Sequence, residues 1–428
     1  MKKYIIILVA VLSISIFGQN KRQQLNQMRG IFFDPVVLPS ETGANCYITY
    51  KTLYNRLVFV RENNVFTARF NLSIEAADSA TGKVYRDIIK KEFSVNTYAE
   101  TDLDNEYLHG MIKLSLPAGT FKITPTIYDL NTGTEHLLSP FDLRIGDKEL
   151  KGVSSPLVLS GVGQDNLKCG DTMGEEFINF EGTIPFSKQS YDLVIPVIDT
   201  SVSSINVELT NNDSLIYKGV LNNSVKSQLS LGQCDNAIVV GNNPEGKLTR
   251  NFFLRSFNLR LREGTVTLTV NLNKSTPEKY TFQRAVVWYN KPRSLQNTEY
   301  AIRLLKYVAS EKEIVQLNKN SDKTAYSALF NFWKKFDPTP NTEFNELMAE
   351  YYQRVDFAVL NYSQLANRDG AESDRGRIYI LYGKPKNVER IYNSSRDVRE
   401  VWQYDSPGRN FVFVDKSGLG NYILSENL

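Results

Sequence analysis

The sequence predicts a mostly β protein: two antiparallel immunoglobulin-like β-sandwiches, then a C-terminal α+β domain made of a helical block and a small antiparallel sheet. Three observations carry this. Short runs with period-two alternation fill the first 290 residues, separated by turn clusters such as "DSATGK" and "DLNTGTE". "LPAGTFKITPTI" at Leu116 and "LREGTVTLTVNL" at Leu261 align without a gap at an offset of 145 (261 − 116), so each half holds a Gly-Thr entry to a similar strand. At Lys291 the apolar spacing changes from two to three and four.

A chain of 428 residues exceeds one ordinary core, and two to four domains are expected. The apolar fraction of 42% and charged fraction of 23% are those of a folded globular chain. The formal charge of +3 comes without a basic block, which argues against nucleic acid as a partner.

Residues 1–18 read as a signal peptide. Lys2 and Lys3 form the positive start, Tyr4 to Phe17 the apolar stretch, and Gly18 a small residue before cleavage. The apolar stretch of 14 residues is short for a membrane span. The expectation is an exported protein of the periplasm or cell envelope, or a secreted one, whose mature chain has no transmembrane segment.

The first sandwich is expected over residues 30–147. Its strands read as "RLVFV", "VFTARFNLSIEAAD", "KVYRDIIKKEFSV", "MIKLSL", "TFKITPTIYDL" and "FDLRI". In the fifth, Phe121, Ile123 and Ile127 share one face while Lys122 and Thr124 take the other, as in a strand with one wet side. The second sandwich, 150–290, is expected from "INFEGTIPF", "YDLVIPVID", "INVELTNND", "SLIYKGV", "FLRSFNLRL", "TVTLTVNL" and "RAVVWYN".

Residues 294–428 form the third domain. Ile302, Leu305 and Val308 have helical spacing, and Ser310 with Glu313 makes a capping box for a further helix. Ala325, Leu329, Trp333 and Phe336 make one stripe, ended by Pro338 and Pro340. Phe344, Leu347, Met348, Tyr351, Val355, Ala358, Val359 and Tyr362 mark a long amphipathic helix. "RIYILYG", apolar on both faces, reads as a central strand covered on both sides. "VREVWQYD" and "NFVFVDK" flank the hairpin signal "SPGR", and "LGNYIL" offers one more strand.

The cysteines are Cys46, Cys169 and Cys234. Export permits disulfides, and Cys169 with Cys234 is the favoured pair because both fall in one domain; three free thiols is the alternative. Two histidines, His109 and His136, lie apart from any ligand cluster, so neither a metal site nor a Ser-His-Asp triad is expected. No cofactor is implied.

The C-terminal third resembles the GWxTD domain, a family of exported bacterial proteins, through "LKYVAS", "FWKKFDPTPNTEFNEL", "EYYQRVDFA", "SDRGRIYILYGKP", "EVWQYD" and "FVFVDKSGLGNYIL". The signature stands here as Gly370-Ala371-Glu372-Ser373-Asp374: Gly370 and Asp374 match, Ser373 keeps the hydroxyl, and Ala371 replaces the Trp. The resemblance implies architecture rather than a reaction. At matching positions stand Asp337, Glu346, Arg354, Asp374, Arg375, Arg377 and Glu400; Trp333, Trp402 and Tyr404 lie beside them in sequence, and Pro338, Gly376 and Gly383 belong to the same structural motif.

Two readings of these residues compete. In one, Asp374 with Glu346 or Glu400 forms an acid/base pair in a polar cleft. In the other, the charges are structural. Asp374 then accepts backbone N–H bonds in a turn, Gly376 supplies freedom in φ, and Arg354 and Arg377 pair with Glu346 or Glu400. The structural reading is preferred. It makes the protein a non-enzymatic envelope component that binds an envelope protein or polysaccharide. The alternatives are a hydrolase of an envelope polysaccharide or peptide, and a carbohydrate-binding protein.

Overall fold

A computed structural model describes residues 31–103, 106–161, 167–169, 172–178, 182–274, 278–363, 369–392, 398–405 and 408–425. The signal peptide expected over residues 1–18 lies outside the described residues. The chain divides into two compact units, Met1–Tyr289 and Asn290–Leu428. The fold is mostly β with antiparallel sheets, a helical block and a small C-terminal antiparallel sheet.

The first unit opens with β1 (Ile31–Ser40), β2 (Gly43–Leu53), β3 (Phe59–Glu62), β4 (Val65–Asp78), β5 (Val84–Val95), β6 (Tyr107–Leu116), β7 (Gly119–Asp129), β8 (Thr134–Leu137) and β9 (Phe141–Ile145). Strands β1-β2-β6 make one sheet. The facing sheet runs β3-β4-β7-β8, with β5 on β4 and β9 on β7. Alternation decides what fills the space between them. Cys46, Ile48 and Tyr50 of β2 and Phe70, Leu72 and Ile74 of β4 point into one core, joined by Phe121 and Ile123 of β7.

The rest of the unit comprises β10 (Leu157–Ser160), β11 (Leu167–Cys169), β12 (Thr172–Glu176), β13 (Thr183–Pro185), β14 (Tyr191–Val197), β15 (Ile205–Asn211), β16 (Ser214–Leu221), β17 (Ser224–Cys234), β18 (Ala237–Asn243), β19 (Thr249–Leu254), β20 (Gly264–Leu272) and β21 (Glu278–Val287). One sheet is ordered β10-β14-β19-β17-β18-β12-β11 and the other β13-β21-β20-β15-β16. The aligned strands β7 and β20 both begin at the matched glycine, and Val266 and Leu268 are buried like their counterparts Phe121 and Ile123.

The two sandwiches share a wall. The opposite face of β1 and β2, with Val36, Leu38 and Tyr47, packs on Leu159, Val194, Leu231, Ile238 and Val240 of the seven-stranded sheet. Eight of the eleven β2 residues are therefore buried, drawn from both faces, and all seven residues of β14 are buried. Such strands carry no wet side, which is why neither β1 nor β2 shows the alternation that exposed β4 in the sequence.

Of the expected strand "FLRSFNLRL" only Phe253 and Leu254 are strand: β19 begins earlier, at Thr249, and ends at Leu254, and turn residues follow it. Of "INFEGTIPF", the described strand is β13 alone. Cys46 is a free buried thiol whose pKa burial pushes up to about 12, and Cys234 is disulfide-bonded. The side chain of Cys169 lies outside the described residues.

In the second unit the helices Thr298–Leu304, Glu311–Leu317, Asp322–Trp333 and Glu346–Tyr362 lead to a short helix, Asp374–Tyr382. The sheet β22 (Asn387–Tyr392), β23 (Val398–Tyr404), β24 (Arg409–Asp415) and β25 (Ile423–Ser425) follows, antiparallel throughout. Ser310 and Glu313 do form a capping box. The long helix buries Met348, Tyr351, Tyr352, Val355 and Ala358. Leu347 and Phe336, expected on apolar stripes, stand 42% and 47% exposed, and Tyr352 and Phe332 fill the core instead.

The largest correction concerns "RIYILY", which is helix rather than strand. A run apolar on all sides suits a buried helix as well as a buried strand, so periodicity alone does not decide. The ends decide. Ser373 caps the helix start, and Gly383 stops it at φ +77°.

Candidate functional site

The charged motif sits where the short helix Asp374–Tyr382 meets the long helix and the sheet. Asp369 accepts the Ala371 N–H at 2.9 Å and the Tyr300 hydroxyl proton at 2.7 Å. The Tyr307 hydroxyl donates to the Ala371 carbonyl at 2.9 Å. Burial, then the Glu372 carboxylate, raises the Tyr307 pKa to about 12, so it stays a donor. Ala371 is fully buried, so this position offers no ring to a ligand. Glu372 faces Arg303 at 3.3 Å and Lys306 at 3.4 Å.

Ser373, not Asp374, performs the capping. Its buried Oγ accepts the Gly376 N–H at 3.0 Å and donates to the Gly370 carbonyl at 2.7 Å. Asp374 lies in the first helical turn, where a negative charge is favoured. Its Oδ2 accepts the N–H of Leu424, on β25, at 2.8 Å, and its Oδ1 faces Arg377 at 3.4 Å. The expected turn bond to its own local backbone is thus replaced by a tie across 50 residues.

The expected need of Gly376 for free φ is also corrected. A Cβ there would collide with the Gly370 carbonyl oxygen, and one on Gly370 would collide with the Ala358 carbonyl. Both glycines let backbones touch.

Glu400 on β23 is 2% exposed and fully engaged. Its Oε1 accepts the Trp402 indole N–H at 2.6 Å; its Oε2 meets Arg390 Nε at 3.0 Å and Arg375 at 3.6 Å. The hydrogen bond to Glu400 raises the Arg390 pKa further. Arg375 is buried between the Tyr422 and Tyr362 rings, 4.0 Å and 5.1 Å from their centroids. Trp402 packs with Ile378, Tyr404, Phe411 and Phe413 in the domain core.

Arg354 and Arg377 do not pair with Glu346 or Glu400 as expected. Arg354 donates to the Ile380 and Leu381 carbonyls, each at 3.3 Å, and to Glu350. A cation at a helix C-terminus satisfies carbonyls left open by the last turn. Gly383 accepts the Tyr404 hydroxyl proton at 2.8 Å. Glu346 accepts from Thr339 at 2.7 Å, beside the Asp337-Pro338 turn where Asp337 accepts the Thr339 N–H at 2.8 Å. Asn345 caps the long helix and donates to the Trp333 carbonyl at 2.9 Å. The carboxylates Asp374, Glu346 and Glu400 therefore belong to three separate bonding networks.

Three contributors escaped the sequence reading: Arg390, Tyr422 and Asp415. Asp415 is buried, which works to raise its pKa, but the N–H groups of Gly420, Ser417 and Gly418 and the Ser417 hydroxyl outweigh that and hold it below the usual carboxylate range. The spacing Asp-x-Ser-Gly-x-Gly was the available signal.

Residues 269–425 match the GWxTD domain model. The chain carries a GWxTD domain. The match begins inside β20, ahead of the compact second unit. No curated protein matches the sequence. The crystal structure of squid arrestin covers 60% of this chain and 93% of its own length at 8% identity, with a TM-score of 0.13, too loose a superposition to inform the fold. Among the described residues no group of three or more His, Cys, Asp or Glu side chains is placed to hold a metal ion, and no helix is long and apolar enough to cross a membrane.

Proposed function

We propose that the protein is an exported, non-enzymatic component of the cell envelope whose GWxTD domain acts as a packing and interaction module. One observation carries this reading: Glu400, the buried carboxylate of the motif region, has both oxygens engaged by Trp402, Arg390 and Arg375. A general acid or base needs a proton-exchanging oxygen that reaches substrate. Asp374 is tied to the Leu424 N–H and Glu346 to Thr339, which leaves these carboxylates to hold the domain together. The partner is an envelope protein or polysaccharide.

The test compares wild type with Asp374→Asn on isolated envelope polymers and in pull-downs from envelope fractions. A stoichiometric protein or glycan partner, bound equally by a folded Asp374→Asn, agrees with the proposal. Turnover of a polymer that is abolished in a folded Asp374→Asn sinks it in favour of a hydrolase. Export has its own test: the mature chain should begin near Gln19 and fractionate with soluble envelope protein, against a chain beginning at Met1 in the membrane pellet.

A further inference from the structure

Buried charge also gathers at the joint between the two sandwiches. Lys51 on β2 is 4% exposed. Its ammonium lies 4.0 Å from the Tyr289 ring centroid, 4.9 Å from that of Tyr107 and 5.2 Å from that of Phe32. This cage replaces part of the lost hydration by cation–π attraction. Asp34 on β1 keeps one buried carboxylate oxygen without a hydrogen bond among the described residues. His109 on β6 stacks on Tyr107 with centroids 6.4 Å apart.

The backbone beside this ring is the fastening. The His109 N–H donates to Asn236 Oδ1 at 2.7 Å, Asn236 Nδ2 donates to the Tyr107 carbonyl at 2.9 Å, and Gln233 Nε2 to the His109 carbonyl at 3.4 Å. These three bonds tie β6 of the first sandwich to the β17–β18 turn of the second. Lys91 of β5 reaches the Asp235 carbonyl in that turn at 3.4 Å.

We propose that this joint is an acid-sensitive latch: a second cation on the His109 ring, beside the caged Lys51 ammonium, loosens the tie between β6 and the β17–β18 turn. Against the ring stand Lys51 of β2 and Tyr107 of β6; Tyr289, and Asp34 of β1, itself facing Arg284 of β21, surround Lys51, and Lys91 and Asp235 lie at the turn. Burial first, then Lys51, lowers the His109 pKa to about 4, opposed by a hydrogen bond between the ring and the Asn236 backbone. The unfolded imidazole titrates near 6.5, so the unfolded chain binds more protons between those values. The His109 contribution is complete above about pH 6.5 and is lost as pH falls toward about 4. Asp34 has the opposite sign. Burial raises its pKa, against Arg284, the Gly182 N–H and Lys51, so acid favours the fold through this group.

The experiment is denaturant unfolding of the full chain at pH 7 and pH 5. Through His109 the folding constant should drop by up to roughly 20-fold over this interval. His109→Gln should lose correspondingly less, and Asp34→Asn at least as much as wild type. Equal losses in wild type and a folded His109→Gln overturn the proposal. Hydrogen exchange on the unsubstituted chain tests it without relying on a variant's folding. Acid should reduce protection of the His109 amide before that of Ile48 or Val240. Protection lost together at all three sites, or retained at His109, overturns it.

Discussion

Two buried carboxylates, Glu400 in the GWxTD domain and Asp34 in the sandwich unit, face arginines but are finished differently. Glu400 has both oxygens engaged by an indole N–H and two guanidinium groups. Asp34 has one oxygen without a bond among the described residues, and burial raises its pKa despite Arg284 and Lys51. A completed network satisfies every polar atom of its buried charge; an incomplete one makes its charge costly to keep. The same residue class thus signals architecture in one place and stored sensitivity in the other.

Substitutions can break or sharpen that contrast. The largest effect is expected for Glu400→Gln, which leaves Arg375 buried without its counter-charge. It should destabilise the GWxTD domain by about 3–5 kcal/mol, read from tryptophan fluorescence in denaturant. A loss below about 1 kcal/mol would mean that Glu400 is not the centre of the network. Gly376→Ala comes next, at roughly 1–3 kcal/mol, because the Cβ meets the Gly370 backbone oxygen rather than a movable side chain. Ser373→Ala removes the cap of the motif helix and should cost about 1 kcal/mol in the same assay. Asp34→Asn should shift stability the other way, raising it at pH 7 because the amide carries no charge for burial to penalise. A destabilised Asp34→Asn would erase the contrast. The smallest change is expected for Asp374→Asn: the amide oxygen still accepts from Leu424, the Arg377 pair is partly exposed, and the cost should stay within about 1 kcal/mol.

Legibility in the sequence followed exposure. β4 runs from Val65 to Asp78 as its alternation indicates, because one face is wet along much of its length. β1 and β2 were invisible as named strands because both of their faces are buried. The motif helix was misread for the same reason, and its Ser373 cap and Gly383 stop outweighed a strand-like composition. Ring and charge types in the candidate site were recognisable, but their pairings were not. Asp374 bonds Leu424 and Arg375 reaches Tyr422, contacts set by how β25 folds back on the domain.

The shared wall has a consequence for the order in which the chain leaves the ribosome. Val36, Leu38 and Tyr47 emerge early, yet the residues that cover them include Leu229, Leu231, Ile238 and Val240, nearly two hundred positions later. During synthesis the first sandwich can close its own core while its outer face stays greasy and uncovered. Nascent chains stalled before Ser224 should therefore stick to holdase chaperones or to one another, and chains extended past Asn243 should release.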